Sequence, residues 1–157
     1  SIKDRAEHLM IIDLIRNDIG KIAKIGSVKV KNIFNVESHE TVYQMVSCIE
    51  GELNNQIKES DVIKALFPGG SITGAPKESS MKIIDKLETY NRGLYTGAIG
   101  YIKSNGDMDF NMSIRTMTIN NKKGIYPVGG GIVWDSQPNL EWDEAQTKSN
   151  ILHSIEL

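Results

Sequence analysis

The first part of the chain carries two different spacings of apolar residues. Over residues 3–24, apolar side chains recur at steps of three and four, which places them along one face of an α-helix. They are Leu9, Met10, Ile11, Leu14, Ile15, Ile19 and Ile22. Residues 27–36 and 41–49 instead approach alternation and are rich in β-branched residues, which is typical of strands. The pattern therefore predicts an amphipathic helix followed by two strands.

The middle of the chain has the pattern of two helices joined by a glycine-containing loop. A short helix is predicted over residues 61–66, with Ser60 as its N-cap, and the following PGG ends it. The loop GGSITGAPK leads to a second helix over residues 76–87. Apolar residues have helical spacing there, and Pro76 suits the first turn.

The stretch from residue 94 to residue 133 has the pattern of successive β-hairpins. Its strand-like segments are LYTGAIGYI, MDFNMSIRTMTI and IYPVGGGIVW, and the turn sequences SNGD and NNKKG separate them. Residues 138–155 return to helical composition, with apolar residues on or near one face. No linker or internal repeat divides the chain, which predicts a single domain over residues 1–157.

Composition and charge argue against several classes of partner. Lysine and arginine total 18 against 20 for aspartate and glutamate, so the net charge of -2 supplies no general attraction for nucleic acid. No stretch approaches the roughly 20 apolar residues of a membrane span. The charged opening SIKDRAEHLM is unlike a signal peptide. We therefore expect neither nucleic acid nor a membrane as a partner.

The single cysteine and the start of the chain carry two further expectations. Cys48 cannot form an internal disulfide, which fits a reducing compartment, so we predict a cytoplasmic protein with Cys48 as a small core residue. The chain starts with Ser1, only a few residues before a strongly patterned helix. This start suggests a piece of a longer protein.

Two pairs of acidic residues have the i, i+3 spacing that puts both side chains on one helix face. Asp4 and Glu7 lie on the first predicted helix, and Glu141 and Glu144 lie on the last. If these helices met, four oxygen-bearing side chains would surround one point, which suits magnesium. Lys148 follows Glu144 by four residues and shares its face. Ordinary solvated helix faces carry such pairs too, so the spacing leaves both interpretations open.

Two glycine-rich segments and one arginine are candidates for anion binding. In GGSITGAPK, backbone N–H groups and the dipole of the following helix suit a carboxylate, although a structural turn has the same composition. The triple glycine Gly129, Gly130 and Gly131 interrupts a strand-like stretch, which often marks close approach of a ligand or another backbone. Arg115 is predicted in mid-strand, where a guanidinium either recognises a carboxylate through two hydrogen bonds or faces solvent.

Six sequence blocks resemble the chorismate-utilising enzymes and occur in the order found in that family. They are EHLMIIDLIRND, FPGGSITGAPK, GAIGYI, SIRT, GGGIVWDSQP and EWDE, and they run from one end of the chain to the other. The family includes enzymes that make anthranilate, aminodeoxychorismate and isochorismate. The resemblance implies an α+β fold in layers, with mainly antiparallel sheets and outer helices. This chain would hold only the C-terminal portion of that chorismate-binding domain.

The resemblance also implies a magnesium site. In the family, magnesium bridges to the carboxylate of chorismate and is held by two glutamates, which match Glu7 and Glu144. Asp4 and Glu141 match the residues that complete a water-mediated shell. Asp4 is shorter than the glutamate often found at its position. Magnesium is therefore the expected cofactor.

The residues that match the family's contacts to chorismate are spread over the chain. Those that match the grip on the pyruvyl carboxylate are Tyr95 and Arg115, beside the backbone of Gly129, Gly130 and Gly131. Ser71 matches a hydroxyl near the ring, and Lys148 matches a lysine near the metal. Gln44 stands where many relatives carry a histidine. An amide forms hydrogen bonds but cannot titrate near pH 7, which argues against a histidine-based acid step.

Finer features point to one branch of the family. FPGGSITGAPK and GGGIVWDS look like the aminodeoxychorismate branch, which aminates chorismate to 4-amino-4-deoxychorismate for 4-aminobenzoate and folate formation. In that branch a lysine of a PIKGT-like segment adds to the ring, and ammonia from a glutamine amidotransferase subunit then replaces it. No segment of this chain matches PIKGT. We therefore expect the whole enzyme to be active and this chain alone to be inactive.

Two other functions stay open from the sequence. An anthranilate synthase component I would place the amine on another ring carbon and eliminate pyruvate, and it carries a PIAGT-like segment where the first branch carries PIKGT. The other alternative is a truncated, non-catalytic chain that only binds ligand.

Overall fold

The computed structural model describes residues 2–38 and 43–154, with side chains over residues 5–38 and 43–152. The chain divides into two compact units, Ser1–Leu87 and Glu88–Leu157. Each contains α-helix and antiparallel strands, so the predicted α+β class is confirmed. The assignment of residues 1–157 to a single domain stays a prediction. No helix in the described residues is long and apolar enough to cross a membrane.

The first unit begins with helix α1, Ile2–Gly20. The sequence predicts a helix up to residue 24, but the chain leaves the helix after Gly20 because the next residues pair with a distant segment. Ala23 forms an antiparallel bridge with Leu53, and the Lys24 N–H donates to the Glu52 carbonyl oxygen over 2.7 Å. Ile12 of α1, together with Ile22 and Ala23, forms the buried apolar core of the described residues.

Strands β1, Lys29–Ser38, and β2, Tyr43–Glu50, form an antiparallel hairpin, which confirms the two predicted strands. The first two residues of the second prediction, Thr41 and Val42, lie outside the described residues. The prediction that Cys48 is a core residue is wrong, because Cys48 is exposed. Side chains alternate along a strand, so Cys48 shares its face with the charged Glu50.

Two helices and a helical turn complete the first unit: α2, Glu59–Leu66, α3, Gly70–Thr73, and α4, Lys77–Leu87. The predicted N-cap Ser60 is wrong, since it lies inside the first turn of α2. Lys58 occupies the N-cap position, and its N–H donates to the Asp61 carboxylate over 3.0 Å. The predicted stop before PGG is confirmed, because extended backbone at Phe67 ends α2.

The second unit contains two hairpins followed by a helix. Strands β3, Ala98–Ile102, and β4, Met108–Met112, form the first hairpin, and β5, Thr118–Asn120, and β6, Lys123–Ile125, form the second. Both predicted turns are confirmed. Helix α5, Pro138–Ser149, continues as a 3₁₀ helix over Asn150–Ser154, which confirms the helical tail up to that residue. The last residue of the prediction, Ile155, lies outside the described residues.

Two strand predictions in this unit are wrong. MDFNMSIRTMTI is not one strand, because residues 113–117 bend between β4 and β5. The segment with three glycines, residues 129–131, is not in a strand either. The pairing of β5 with β6 ends at Ile125, opposite the first residue of β5, and glycine disfavours a strand over residues 129–131.

Candidate functional site

Three side chains of the second unit converge on the triple-glycine segment. A Cβ atom at Gly129 would lie 2.6 Å from the Tyr95 hydroxyl oxygen, so that hydroxyl lies against the glycine backbone. A Cβ atom at Gly130 would lie 3.3 Å from Oε2 of Glu141. The Lys148 ammonium donates a hydrogen bond of 3.0 Å to the Gly129 carbonyl oxygen. A larger residue at position 129 would displace Tyr95, which explains the glycine there.

Helix α5 presents Glu141 and Glu144 on the side of this segment. The Ser136 hydroxyl accepts a hydrogen bond from the Val133 N–H and donates one of 2.6 Å to Oε1 of Glu141, which ties the preceding turn to the first turn of α5. One helical turn later, Glu144 forms an ion pair of 2.5 Å with Lys148. The predicted common face of Glu144 and Lys148 is therefore confirmed. Gly131 has open space around its Cβ position.

The carboxylates of Glu141 and Glu144 suit magnesium in their chemistry. Glu144 is about half exposed, and Oε2 of Glu141 lies beside Gly130 rather than in the bond to Ser136. Magnesium prefers oxygen ligands and keeps several waters. Over the part of the chain that the structure describes, no three acidic, histidine or cysteine side chains form a group that could hold a metal ion. The metal-binding roles of Glu141 and Glu144 stay predictions.

Tyr95 lies in a turn before β3, not in the strand predicted over LYTGAIGYI. Its N–H donates to the Arg92 carbonyl oxygen over 3.1 Å, and the Arg92 guanidinium lies 5.7 Å from the centroid of its ring. Burial raises the pKa of the Tyr95 hydroxyl, and the charge of Arg92 opposes this only in part. The hydroxyl therefore keeps its proton at neutral pH and can donate a hydrogen bond.

Arg115 lies in the bend between β4 and β5, so its predicted mid-strand position is wrong. Its side chain is exposed, and its φ of +49° is in the left-handed region. The bend comes after Ser113, which is buried and whose backbone exchanges hydrogen bonds with Thr96 and Gly97. These bonds extend the pairing of β3 with β4 by one residue, and the chain bends beyond them. A role for Arg115 in binding a carboxylate stays a prediction.

In the first unit, the predicted metal ligand Glu7 is partly buried on α1. The side chain of Asp4 lies outside the described residues. His8, next to Glu7, forms a hydrogen bond of 2.8 Å with the Ser47 hydroxyl, which joins α1 to β2 near the N-terminal end of α1. Gln44 lies earlier on β2, opposite Glu37, and its side chain is exposed. The substrate role predicted for Gln44 is untested.

The loop GGSITGAPK folds around the single helical turn α3. Gly70 is buried, and a Cβ atom there would lie 3.2 Å from two carbons of Leu14. Gly74 has a φ of +120°, a conformation that side chains disfavour. Ser71 is exposed on α3. Lys77, at the end of the loop, pairs with Asp18 over 2.5 Å. Anion binding by this loop stays a prediction.

Sequence reasoning missed three ion pairs. Glu88 and Arg92 form a two-fold hydrogen-bonded pair just before Tyr95, with 2.8 Å and 2.6 Å between the bonded atoms. Their spacing of four residues is not a helix signal, because α4 ends at Leu87. Asp18 is buried and pairs with both Lys21 and Lys77. No local pattern predicts the second partner, because it lies on another helix.

Comparison with known proteins gives close relatives along almost the whole chain. The aminodeoxychorismate synthase component 1 of Escherichia coli K12 is 50% identical over 157 residues, which cover 99% of this chain and 35% of that protein. The anthranilate synthase component 1 of Aquifex aeolicus is 46% identical over 150 residues, which cover 96% of this chain and 30% of that protein. The chain therefore spans about a third of the length of these relatives.

A solved structure and a family model agree with these relatives. The crystal structure of anthranilate synthase component I from Streptococcus pneumoniae TIGR4 matches with a TM-score of 0.89 at 41% identity, covering 96% of this chain and 34% of that chain. This match confirms the fold that the sequence resemblance implies. The family model described as chorismate binding enzyme matches residues 1–154. Since that match leaves only three residues of the chain uncovered, the chain belongs to the family of chorismate binding enzymes.

Proposed function

We propose that this chain forms part of an enzyme that aminates chorismate to 4-amino-4-deoxychorismate, on the route to 4-aminobenzoate and folate. The observation that carries the proposal is the convergence of Tyr95 and Lys148 on the backbone of Gly129, beside the acidic pair of α5. A hydroxyl donor and an ammonium group suit a substrate carboxylate, and the acidic pair suits a divalent cation. The name of the E. coli relative supports the branch.

We propose a separate role for each side chain in holding chorismate. Lys148 fixes the Gly129 carbonyl group and offsets part of the charge of Glu144. The protonated Tyr95 hydroxyl donates to the pyruvyl carboxylate, and the exposed Arg115 guanidinium supplies a fork for the same group. Ser71 and Gln44 supply neutral hydrogen-bonding groups toward the ring.

Magnesium is the proposed cofactor, with Glu7 and Glu144 as its ligands and Asp4 and Glu141 holding its waters. When bound, magnesium would neutralise charge on the substrate carboxylate and assist loss of the ring hydroxyl. In the overall exchange, ammonia forms the new C–N bond and the ring hydroxyl leaves as water.

We propose a glutamine amidotransferase subunit as the partner that supplies ammonia. The proposed location is the cytoplasm, as the lone cysteine suggests.

Anthranilate synthesis is the second candidate, because the A. aeolicus relative named for that activity is 46% identical. The two activities differ in product, since only anthranilate synthesis releases pyruvate. Mass analysis of the product of the full-length enzyme, incubated with chorismate and ammonium, separates them. A chain that only binds ligand would bind chorismate without forming either product.

The binding part of the proposal is tested on the chain itself by isothermal titration with chorismate, with and without magnesium. We expect the Glu144→Gln variant to lose at least tenfold in magnesium-dependent affinity, because an amide is a weaker ligand for a hard cation. Asp143→Asn is the matched control, since Asp143 is an exposed neighbour on α5. Equal losses in the two variants, or affinity independent of magnesium in the unaltered chain, would contradict the assignment.

A further inference from the structure

Arg92 makes several contacts at the turn that carries Tyr95. Its Nε and Nη2 atoms donate to the two carboxylate oxygens of Glu88 over 2.8 Å and 2.6 Å. Its Nη1 atom donates to the Thr96 hydroxyl over 3.2 Å, and its guanidinium carbon lies 5.7 Å from the Tyr95 ring centroid. One planar group therefore binds residues on both sides of Tyr95 and also contacts its ring.

The contacts of Arg92 are shielded compared with those of an ordinary surface ion pair. The side chains of Arg92 and Glu88 are 23% and 25% exposed, whereas those of the similar pair Lys103 and Asp107 are 55% and 64% exposed. Partial burial strengthens a charge-assisted pair, because water and salt screen it less. The Glu88 fork also restricts the guanidinium to one plane. The Tyr95 ring thus lies against a fixed surface.

The position of the Tyr95 hydroxyl is also constrained. Its hydroxyl lies against Gly129, where even a Cβ atom would approach within 2.6 Å. The backbone on its C-terminal side is constrained as well, because Thr96 has a φ of +62° and its hydroxyl donates to the Tyr95 carbonyl oxygen over 2.6 Å. A small change in the χ1 angle of Tyr95 would move the hydroxyl away from the segment that faces the proposed substrate carboxylate.

We propose that Arg92, held by Glu88, is a positioning residue that fixes the Tyr95 ring so that its hydroxyl stays at the Gly129 backbone. The inference rests on the proposed function in taking Tyr95 as a contact to the carboxylate of chorismate. Lysine cannot replace Arg92, because an ammonium group lacks the planar fork that binds Glu88 and Thr96 while lying on the ring. Glu88 acts through Arg92.

The test is a double-mutant cycle on chorismate affinity, measured with magnesium by isothermal titration of the full chain. We expect Arg92→Lys to raise the dissociation constant roughly tenfold in the unaltered background and less than about twofold in a Tyr95→Phe background, which lacks the hydroxyl. Glu88→Gln should follow the same pattern and serves as a second variant if Arg92→Lys folds poorly. The same fold-loss in both backgrounds would show a merely structural role and overturn the inference.

Lys103→Gln is the matched control, because Lys103 also lies over a tyrosine, 5.9 Å from the Tyr101 ring, and has an i, i+4 acidic partner. It should leave chorismate affinity unchanged. A second measurement does not need chorismate. It is the ¹³C NMR spectrum of the chain with labelled tyrosines, in which the Tyr95 signals are assigned as those missing from the Tyr95→Phe variant. Arg92→Lys should shift the Tyr95 ring signals, and Lys103→Gln should not. Unchanged Tyr95 signals in Arg92→Lys would overturn the inference, whereas absent chorismate binding with shifted signals would overturn only the proposed function.

Discussion

At the residue scale, Arg115 combines a costly backbone conformation with an exposed side chain. A φ of +49° costs a non-glycine residue on the order of 1 kcal/mol, and such residues concentrate at functional sites. The hydrogen bonds of Ser113 to Thr96 and Gly97 hold the backbone two residues before Arg115. The Arg115 side chain is exposed, so its guanidinium is accessible to a carboxylate, which supports the proposed contact.

For Arg115 we predict that two substitutions distinguish the effect of its backbone conformation from the effect of its side chain. In the full-length enzyme, Arg115→Lys should raise the Michaelis constant for chorismate about tenfold, because the charge remains but the fork is lost. Arg115→Gly relieves the backbone cost, so it should keep or raise thermal stability while raising the Michaelis constant at least as much. Steady-state kinetics and thermal melts check both. A lysine variant with unchanged kinetics would refute recognition through two hydrogen bonds.

The α5 pair shows what the sequence predicts well at this scale. Lys148 and Glu144 are four residues apart on one helix, so their contact follows from helix geometry. Arg92 and Glu88 are also four residues apart, but α4 ends at Leu87, so helix geometry does not explain their contact. Arg115 lies outside the helices and strands as well, in a bend that periodicity does not predict.

At the element scale, one buried carboxylate links α1 to the start of α4. The side chain of Asp18 is 5% exposed, and it binds Lys21 over 2.8 Å and Lys77 over 2.5 Å. Lys77 also donates to the Ala65 carbonyl oxygen of α2 over 3.5 Å. The end of the loop GGSITGAPK is therefore held on α1 by charge, and Gly70 packs on Leu14 of the same helix.

We predict that Asp18→Asn lowers the free energy of unfolding by about 2 kcal/mol. Breaking a buried ion pair costs more than this, but Lys77 is 20% exposed and Lys21 is 54% exposed, so both ammonium groups recover part of their hydration. Asp13→Asn breaks the exposed i, i+3 pair with Arg16 and should cost less than about 0.5 kcal/mol. Urea unfolding of both variants is the measurement, and equal costs would mean that the Asp18 link does not stabilise the unit.

The ends of helices and strands show how well local sequence signals predict capping and turns. Lys58 rather than Ser60 precedes α2, because Asp61 accepts the Lys58 N–H and so satisfies one free donor at the helix start. The hairpin turn at Asn121 and Lys122 has φ angles of +47° and +67°, the two-residue turn that matches strand twist. The sequence NNKKG predicted the hairpin turn. The polar residues at the start of α2 did not show which of them would be the N-cap, because that depends on the backbone conformation.

At the scale of the whole molecule, the chain exposes much apolar surface. Within the described residues, the buried apolar side chains are Ile12, Ile22 and Ala23, whereas Ile25 is 106% and Trp134 is 99% exposed. The chain also spans about a third of the length of the relatives it matches. We therefore expect its two units to have modest stability on their own, since burial of apolar surface is the main stabilising contribution to a fold.

We predict that the 157-residue chain does not make aminodeoxychorismate by itself. No residue matches the nucleophilic lysine of the PIKGT-like segment, and the two obvious substitutes, Lys77 and Lys148, are engaged. Lys77 pairs with Asp18 and Lys148 pairs with Glu144, so each ammonium group is held by a carboxylate. Neither is a good substitute nucleophile, because nucleophilic attack needs a free amine.

The measurement is incubation of the purified chain with chorismate, magnesium and ammonium at mildly alkaline pH, followed by mass analysis for aminodeoxychorismate and anthranilate. A reaction without protein and the Glu144→Gln variant are the controls. Turnover above the first control that disappears in the variant would show that the chain is competent, and that the missing lysine is not required.

The sequence by itself determined most of the helices, the hairpin turns and the family. Helices and turns depend on local residue spacing, and the family is indicated by six sequence blocks in the family's order. It also placed Glu144 beside Lys148. The tertiary structure alone decided that Arg115 lies in a bend, that Asp18 holds Lys77, and that the Tyr95 hydroxyl lies against Gly129. These contacts join residues far apart in the chain, and periodicity carries information only about neighbours within one element. Burial and distant hydrogen bonds, which decide such contacts, exist only once the chain has folded.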